Sequence, residues 1–86
     1  MSGALQQAEA ELFGARLREL RQKHAMTQDS LASASGMTKA YISDMERGLT
    51  VPSMTIILRL ALAIRCKPWH LMRVFDDADL ATLLNQ

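Results

Sequence analysis

The sequence predicts an all-α fold, a compact bundle of five helices, and three observations carry that expectation. Nearly half of the 86 residues (49%) are apolar, yet the aromatic ones are only Phe13, Tyr41, Trp69 and Phe75. The core must therefore be built from Leu, Ile, Met and Ala, which suit packed helices better than a sheet. Apolar residues recur at helical spacing, as at Phe13, Leu17 and Leu20. Capping residues, glycines and prolines then punctuate the chain every two or three helical turns. With no Gly/Ser-rich linker, low-complexity stretch or long repeat, residues 1–86 read as one domain.

The first helix carries Phe13, Leu17 and Leu20 on one side and Arg16, Arg18, Glu19 and Lys23 elsewhere, and it runs to about Ala25. Thr27 caps a second helix with Asp29 in its first turn, where the helix dipole favours an acid, and Gly36 ends it in a left-handed conformation. Thr38 opens a third helix through Arg47, closed by Gly48. Residues 49–52 form a loop, because Pro52 biases its neighbour out of helical geometry, and Ser53 caps a fourth helix, Met54 to Ile64, that is apolar almost all round. Lys67 and Pro68 break and restart the chain, with Pro68 at the first position of a fifth helix carrying Trp69, Leu71, Met72 and Phe75. Residues 78–84 are long enough for a short sixth helix of one or two turns.

Composition excludes several function classes. The single cysteine, Cys66, cannot form an internal disulfide, and no cluster of Cys and His has metal-ligand spacing; neither bridges nor a metal are expected, and a reducing cytoplasm is the natural home. No apolar run reaches about 18 residues and the first ten residues lack a signal pattern, so no membrane partner is expected. No nucleophile and base have a credible spacing and no Gly-rich phosphate loop occurs, which argues against an enzyme, a cofactor or a small-molecule ligand. His24, near a helix C-terminus, suits the dipole, and the six methionines read as core filler. Net charge is only +1, but it is unevenly placed: without residues 76–86, which hold Asp76, Asp77 and Asp79, ten basic residues face six acidic ones. A body of +4 and a tail of −3 let the body favour phosphate, although an ordinary solvated surface shows similar charges. So short a chain buries only about 60% of its unfolded surface, and its apolar surplus suggests burial against a second chain.

Two short capped helices joined by a glycine-containing turn match a helix-turn-helix. At 3.6 residues per turn, Thr38, Ile42 and Met45 share one side of the third helix, Ala40, Ser43, Asp44 and Arg47 the opposite side, and Lys39 the edge. The outer side is short, polar and hydrogen-bonding, as base edges and phosphates require, and as any solvated helix face also shows. Residues 26–48, MTQDSLASASGMTKAYISDMERG, closely resemble the helix-turn-helix of the Cro and phage-repressor type, the XRE family. FGARLRELR at 13–21 and PSMTIILRLALAI at 52–64 extend the resemblance to roughly residues 13–75.

The resemblance implies a sequence-specific transcriptional regulator that sets its third helix in the major groove. Gln28 would anchor the phosphate backbone and orient a side chain of that helix. Thr38, Lys39, Ala40, Ser43 and Asp44 would read bases, and Tyr41, Arg47 and Ser53 would complete the phosphate contacts. Chemistry agrees: Lys39 can donate to guanine O6 or N7, Ala40 can touch a thymine methyl, and Asp44 can accept from cytosine N4, though phosphates repel it. The family pairs an arginine and a glutamate at positions matching Arg21 and Glu46; both lean inward here, where an unpaired carboxylate is costly, so the pair is read as structural.

Departures from the family pattern are Arg65 where a glycine commonly ends the fourth helix, Lys67 where a serine often caps the fifth, Trp69 where an acid is frequent, and Cys66 where valine is usual. Ile56 and Leu62 are apolar at positions usually polar, so with Trp69 and Met72 they form the expected homodimer interface. The expected partners are thus double-stranded DNA, on a palindromic operator, and a second copy of the chain. So compact a chain resembles phage regulators and the controller proteins of restriction–modification systems, which repress or activate. In activating relatives the surface near the start of the second helix touches RNA polymerase, which puts Asp29 forward as a contact beside its dipole role. The alternative is an antitoxin-type interaction module, binding a partner protein through the fourth helix, the fifth and the tail.

Overall fold

The computed structural model describes the backbone of residues 2–76 and the side chains from residue 6 onward. Its α-helices are α1 (Ser2–Lys23), α2 (Gln28–Ser35), α3 (Lys39–Glu46), α4 (Met54–Ile64) and α5 (Pro68–Met72), and a 3-10 turn, η1 (Arg73–Phe75), follows α5 directly. No strand occurs among the described residues, and the fold is all-α. The turns expected at 78–84 and the tail beyond Asp76 lie outside the described residues.

Three helices start on hydroxyl caps, which satisfy amides that have no partner inside the helix. Thr27 Oγ1 accepts from the Ser30 amide at 3.0 Å while Ser30 Oγ accepts from the Thr27 amide at 2.9 Å. Thr38 Oγ1 accepts from the Tyr41 amide at 3.1 Å, and Ser53 Oγ from the Ile56 amide at 3.2 Å. At α5 Lys67 has no oxygen to offer, so the cap runs the other way: the Lys67 amide donates to His70 Nδ1 at 3.2 Å.

α1 to α4 end on one device, a left-handed residue whose successor's amide reaches back to a carbonyl in the last turn. Met26 bonds Arg21, Met37 bonds Ala32, Leu49 bonds Asp44 and Cys66 bonds Ala61, all at 2.9–3.0 Å. The left-handed residue is Gly36 (φ 71°) or Gly48 (φ 73°) in two cases, but Ala25 (φ 56°) and Arg65 (φ 64°) in the others. α1 therefore stops at Lys23, two residues short of the expected Ala25. Arg21 secures this turn with a bond from Nη1 to the Met26 carbonyl at 2.8 Å. Arg65 supplies the left-handed turn for which a glycine was the expected residue, so α4 ends on the same device as α2 with a different residue type.

Every helix contributes a wholly buried side chain to one core: Leu17 from α1, Leu31 from α2, Ile42 and Met45 from α3, Leu60 from α4 and Leu71 from α5. α1 lies across α3, α5 and η1, while α2 packs on α3 and α4. Arg16 ties α1 to α5 by donating from Nε to the His70 carbonyl at 2.8 Å, and it also pairs with Glu19.

Candidate nucleic-acid interface

α2 and α3 are joined by a turn of three residues, Gly36 to Thr38, and α3 is held from beneath by Ile42 and Met45, both with no exposed area. That burial fixes which residues face outward. Lys39, Ala40 and Arg47 are exposed, Ser43 and Asp44 are half-buried, and Thr38 stands exposed at the cap. Thr38 uses its hydroxyl oxygen to accept from Tyr41, which leaves its own proton to donate outward. Tyr41 is half-buried and packs against the core, as a rim residue with a polar tip does. The exposed Ser53 is likewise engaged as a cap.

Beneath this face lies an ion pair. Arg21 of α1 donates to Glu46 of α3 twice, from Nε to Oε2 at 2.6 Å and from Nη2 to Oε1 at 3.0 Å. The Glu46 side chain is only 3% exposed. This carboxylate holds the Arg21 guanidinium protonated more firmly than usual, outweighing the opposing effect of burial. Gln28, at the first position of α2, turns its amide inward and donates from Nε2 to Glu46 Oε1 at 3.1 Å. Three helices thus meet on one carboxylate, and among the described residues no buried side-chain polar atom lacks a hydrogen-bond partner.

The outer charges are paired too. Lys39 Nζ lies 3.7 Å from Asp29 Oδ2 on α2, and Arg47 Nη2 donates to Asp44 Oδ1 at 2.8 Å. Sequence reading missed a third exposed cation here: the Arg59 guanidinium of α4 reaches to 3.5 Å from where a Cβ on Gly36 would stand, beside the α2–α3 turn.

On α4 and α5, Leu62 (79% exposed), Trp69 (53%) and Met72 are open to solvent, whereas Ile56 is half-buried against the chain's own core. The residues that share the exposed face of α4 with Leu62 are Met54 and Leu58, at four-residue intervals. Trp69 stacks on the His70 ring, centroids 3.9 Å apart. Cys66 is half-buried beside the core, and burial pushes its thiol up despite the opposing pull of Arg16, so the nucleophilic thiolate is disfavoured. Among the described residues no helix is long and apolar enough to cross a membrane, and no group of side chains is arranged to hold a metal.

Residues 17–68 match the HTH_3 helix-turn-helix family. The chain is 36% identical over 62 residues to the control protein C.BamHI of Bacillus amyloliquefaciens, covering 71% of this chain and 76% of that one. It is 34% identical over 65 residues to an uncharacterised HTH-type transcriptional regulator of Archaeoglobus fulgidus, covering 76% and 91%. Among solved structures it resembles the restriction-modification controller protein C.AhdI from Aeromonas hydrophila, 41% identical with a TM-score of 0.72, over 74% of this chain and 97% of that one. The geometry of α2 and α3 and these likenesses agree: the chain belongs to the XRE-type helix-turn-helix family and is a DNA-binding transcriptional regulator.

Proposed function

We propose that the chain is a controller-type regulator that binds a palindromic operator as a homodimer, each copy setting α3 in the major groove. The observation that carries this reading is the outward face of α3, where Lys39, Ala40 and Ser43 stand over a helix locked by Ile42 and Met45. Thr38, Lys39, Ala40, Ser43 and Asp44 are the base-reading set. Gln28, Tyr41, Arg47 and Ser53 are the phosphate set, with Gln28 exchanging Glu46 for a phosphate when DNA arrives. A relative named as a control protein and a solved structure named as a restriction-modification controller protein support the regulatory role, and half-sites are expected about 10–10.5 base pairs apart.

If α3 reads bases, Lys39→Ala or Ser43→Ala costs about 1–3 kcal/mol on the preferred site and relaxes choice at one base pair, with random DNA bound nearly as before. Titration of each variant against the operator and its single-base mutants measures this. An unaltered ranking of those duplexes removes α3 from base reading.

The apolar stripe of α4, with Trp69 and Met72 of α5, is the proposed dimer contact. Burying such surface yields about 25 cal/mol per Å2 before the cost of association, and tryptophan is a frequent hot spot. Leu62→Glu or Trp69→Ala should shift sedimentation toward monomer at micromolar concentration with helical content kept, and should weaken binding to a full palindrome far more than to a half-site. Should both variants still sediment as dimers, the contact lies elsewhere, the first ten residues being the next place to look. A parent chain that is monomeric would instead favour the second reading, in which the same stripe receives a different protein, as in an antitoxin.

A further inference from the structure

Lys39 and Arg47, the cations of the proposed α3 face, are already held within the chain. Lys39 faces Asp29 across the α2–α3 turn, and Arg47 faces Asp44 one turn earlier on its own helix. Neither pair braces the fold: all four side chains are at least 45% exposed, and exposed pairs contribute little to stability. The helix dipole accounts for an acid in the first turn of α2 but not for its facing Lys39, and Asp44 lies too far along α3 to serve that dipole. Of the six acids in residues 1–75, these two are the ones placed beside the cations of the helix-turn-helix.

Binding to random duplex draws its free energy from cations that replace counterions on phosphates. A phosphate approaching Lys39 or Arg47 must displace a carboxylate and then lie beside it, so each pair lowers random binding twice, by competition and by repulsion. An operator compensates, because base edges supply bonds that phosphates cannot: guanine O6 and N7 accept from Lys39, and cytosine N4 donates to Asp44. We propose that Asp29 and Asp44 are specificity-determining residues that suppress binding to random DNA more than binding to the operator. This rests on the DNA-facing role of α3 proposed above.

The test uses Asp29→Asn and Asp44→Asn, which keep shape and acceptor oxygen while removing charge. Asp76→Asn, an exposed site outside α2 and α3, is the charge-matched control. Each variant is titrated with operator and scrambled duplex over a range of salt, and circular dichroism checks the fold. Each helix-turn-helix variant should bind scrambled duplex about fivefold more tightly. Its salt slope there should steepen by about 0.9 per phosphate gained. Operator affinity should rise less, so the ratio of the two falls, while Asp76→Asn leaves the ratio unchanged. Equal gains on both duplexes, or gains no larger than those of Asp76→Asn, overturn the proposal. A parent that binds neither duplex overturns the α3 reading, and this inference with it.

Discussion

Replacing Arg21 by alanine should lower the unfolding free energy by about 3–5 kcal/mol, the cost of leaving a buried charge without its partner. Glu46 is the charge in question: its side chain is almost wholly covered, and Arg21 supplies two of the three hydrogen bonds it receives. The Gln28 amide alone cannot neutralise it. Arg21 also closes α1 by bonding the Met26 carbonyl, so the substitution loosens the α1–α2 connection as well. Domains of this size hold about 0.05–0.15 kcal/mol per residue, and the loss removes a large part of that. With about 4–8 °C per kcal/mol, melting should fall by more than about 12 °C. Removing both partners at once, as Arg21→Met with Glu46→Leu, should cost less than Arg21→Ala alone, because no buried charge is stranded. A loss under about 1 kcal/mol would show that the pair behaves as a surface one.

Gly14→Ala tests the approach of α1 to α3, and here two physical effects predict opposite signs. Alanine is the better helix former by about 1 kcal/mol in a helix interior, so an open site would be stabilised. At Gly14, however, a Cβ would stand 2.2 Å from the Met45 carbonyl oxygen and 2.9 Å from that of Glu46. Those are backbone atoms of the last turn of α3 and cannot swing aside as a side-chain tip can. Overpacking of this kind costs about 1–3 kcal/mol and occasionally more, and the clash should win, for a net loss near the upper end of that range. Equilibrium denaturation measures it, and a gain of stability would mean that α1 and α3 lie far enough apart to admit a methyl group.

Helix ends were legible wherever the chemistry is local. Thr27, Thr38, Ser53 and Pro68 each start a helix at the residue expected, and Gly36 and Gly48 each end one, because caps and left-handed turns depend on single residue types. The end of α1 was not, since Ala25 adopts the left-handed turn without the residue that usually marks it. Ahead of Phe13, the eleven residues 2–12 of the described helix carry no strong apolar period, although Ala, Gln and Glu there are good helix formers. On α4 the sequence is apolar nearly all round, so period alone could not tell inside from outside, and Ile56 faces the core where Leu58 faces solvent.

The outer face of α3 was readable because Ile42 and Met45 leave one orientation for the rest. Contacts between helices were legible only where the family resemblance supplied them, as for Arg21 with Glu46 and for Gln28 orienting a side chain of α3. Lys39 meeting Asp29 and Arg59 reaching the α2–α3 turn both depend on how the helices cross, which no spacing along the chain encodes.

The proposed function stands or falls on whether this helix-turn-helix chooses its DNA by sequence. The most direct measurement selects a preferred duplex from random DNA and titrates it beside a scrambled duplex of equal length at one salt concentration. The expected outcome is a selected site with two symmetric half-sites, bound about 10³-fold or more tightly than the scrambled duplex. Equal affinity for both duplexes, or selection that returns no common sequence, would contradict it.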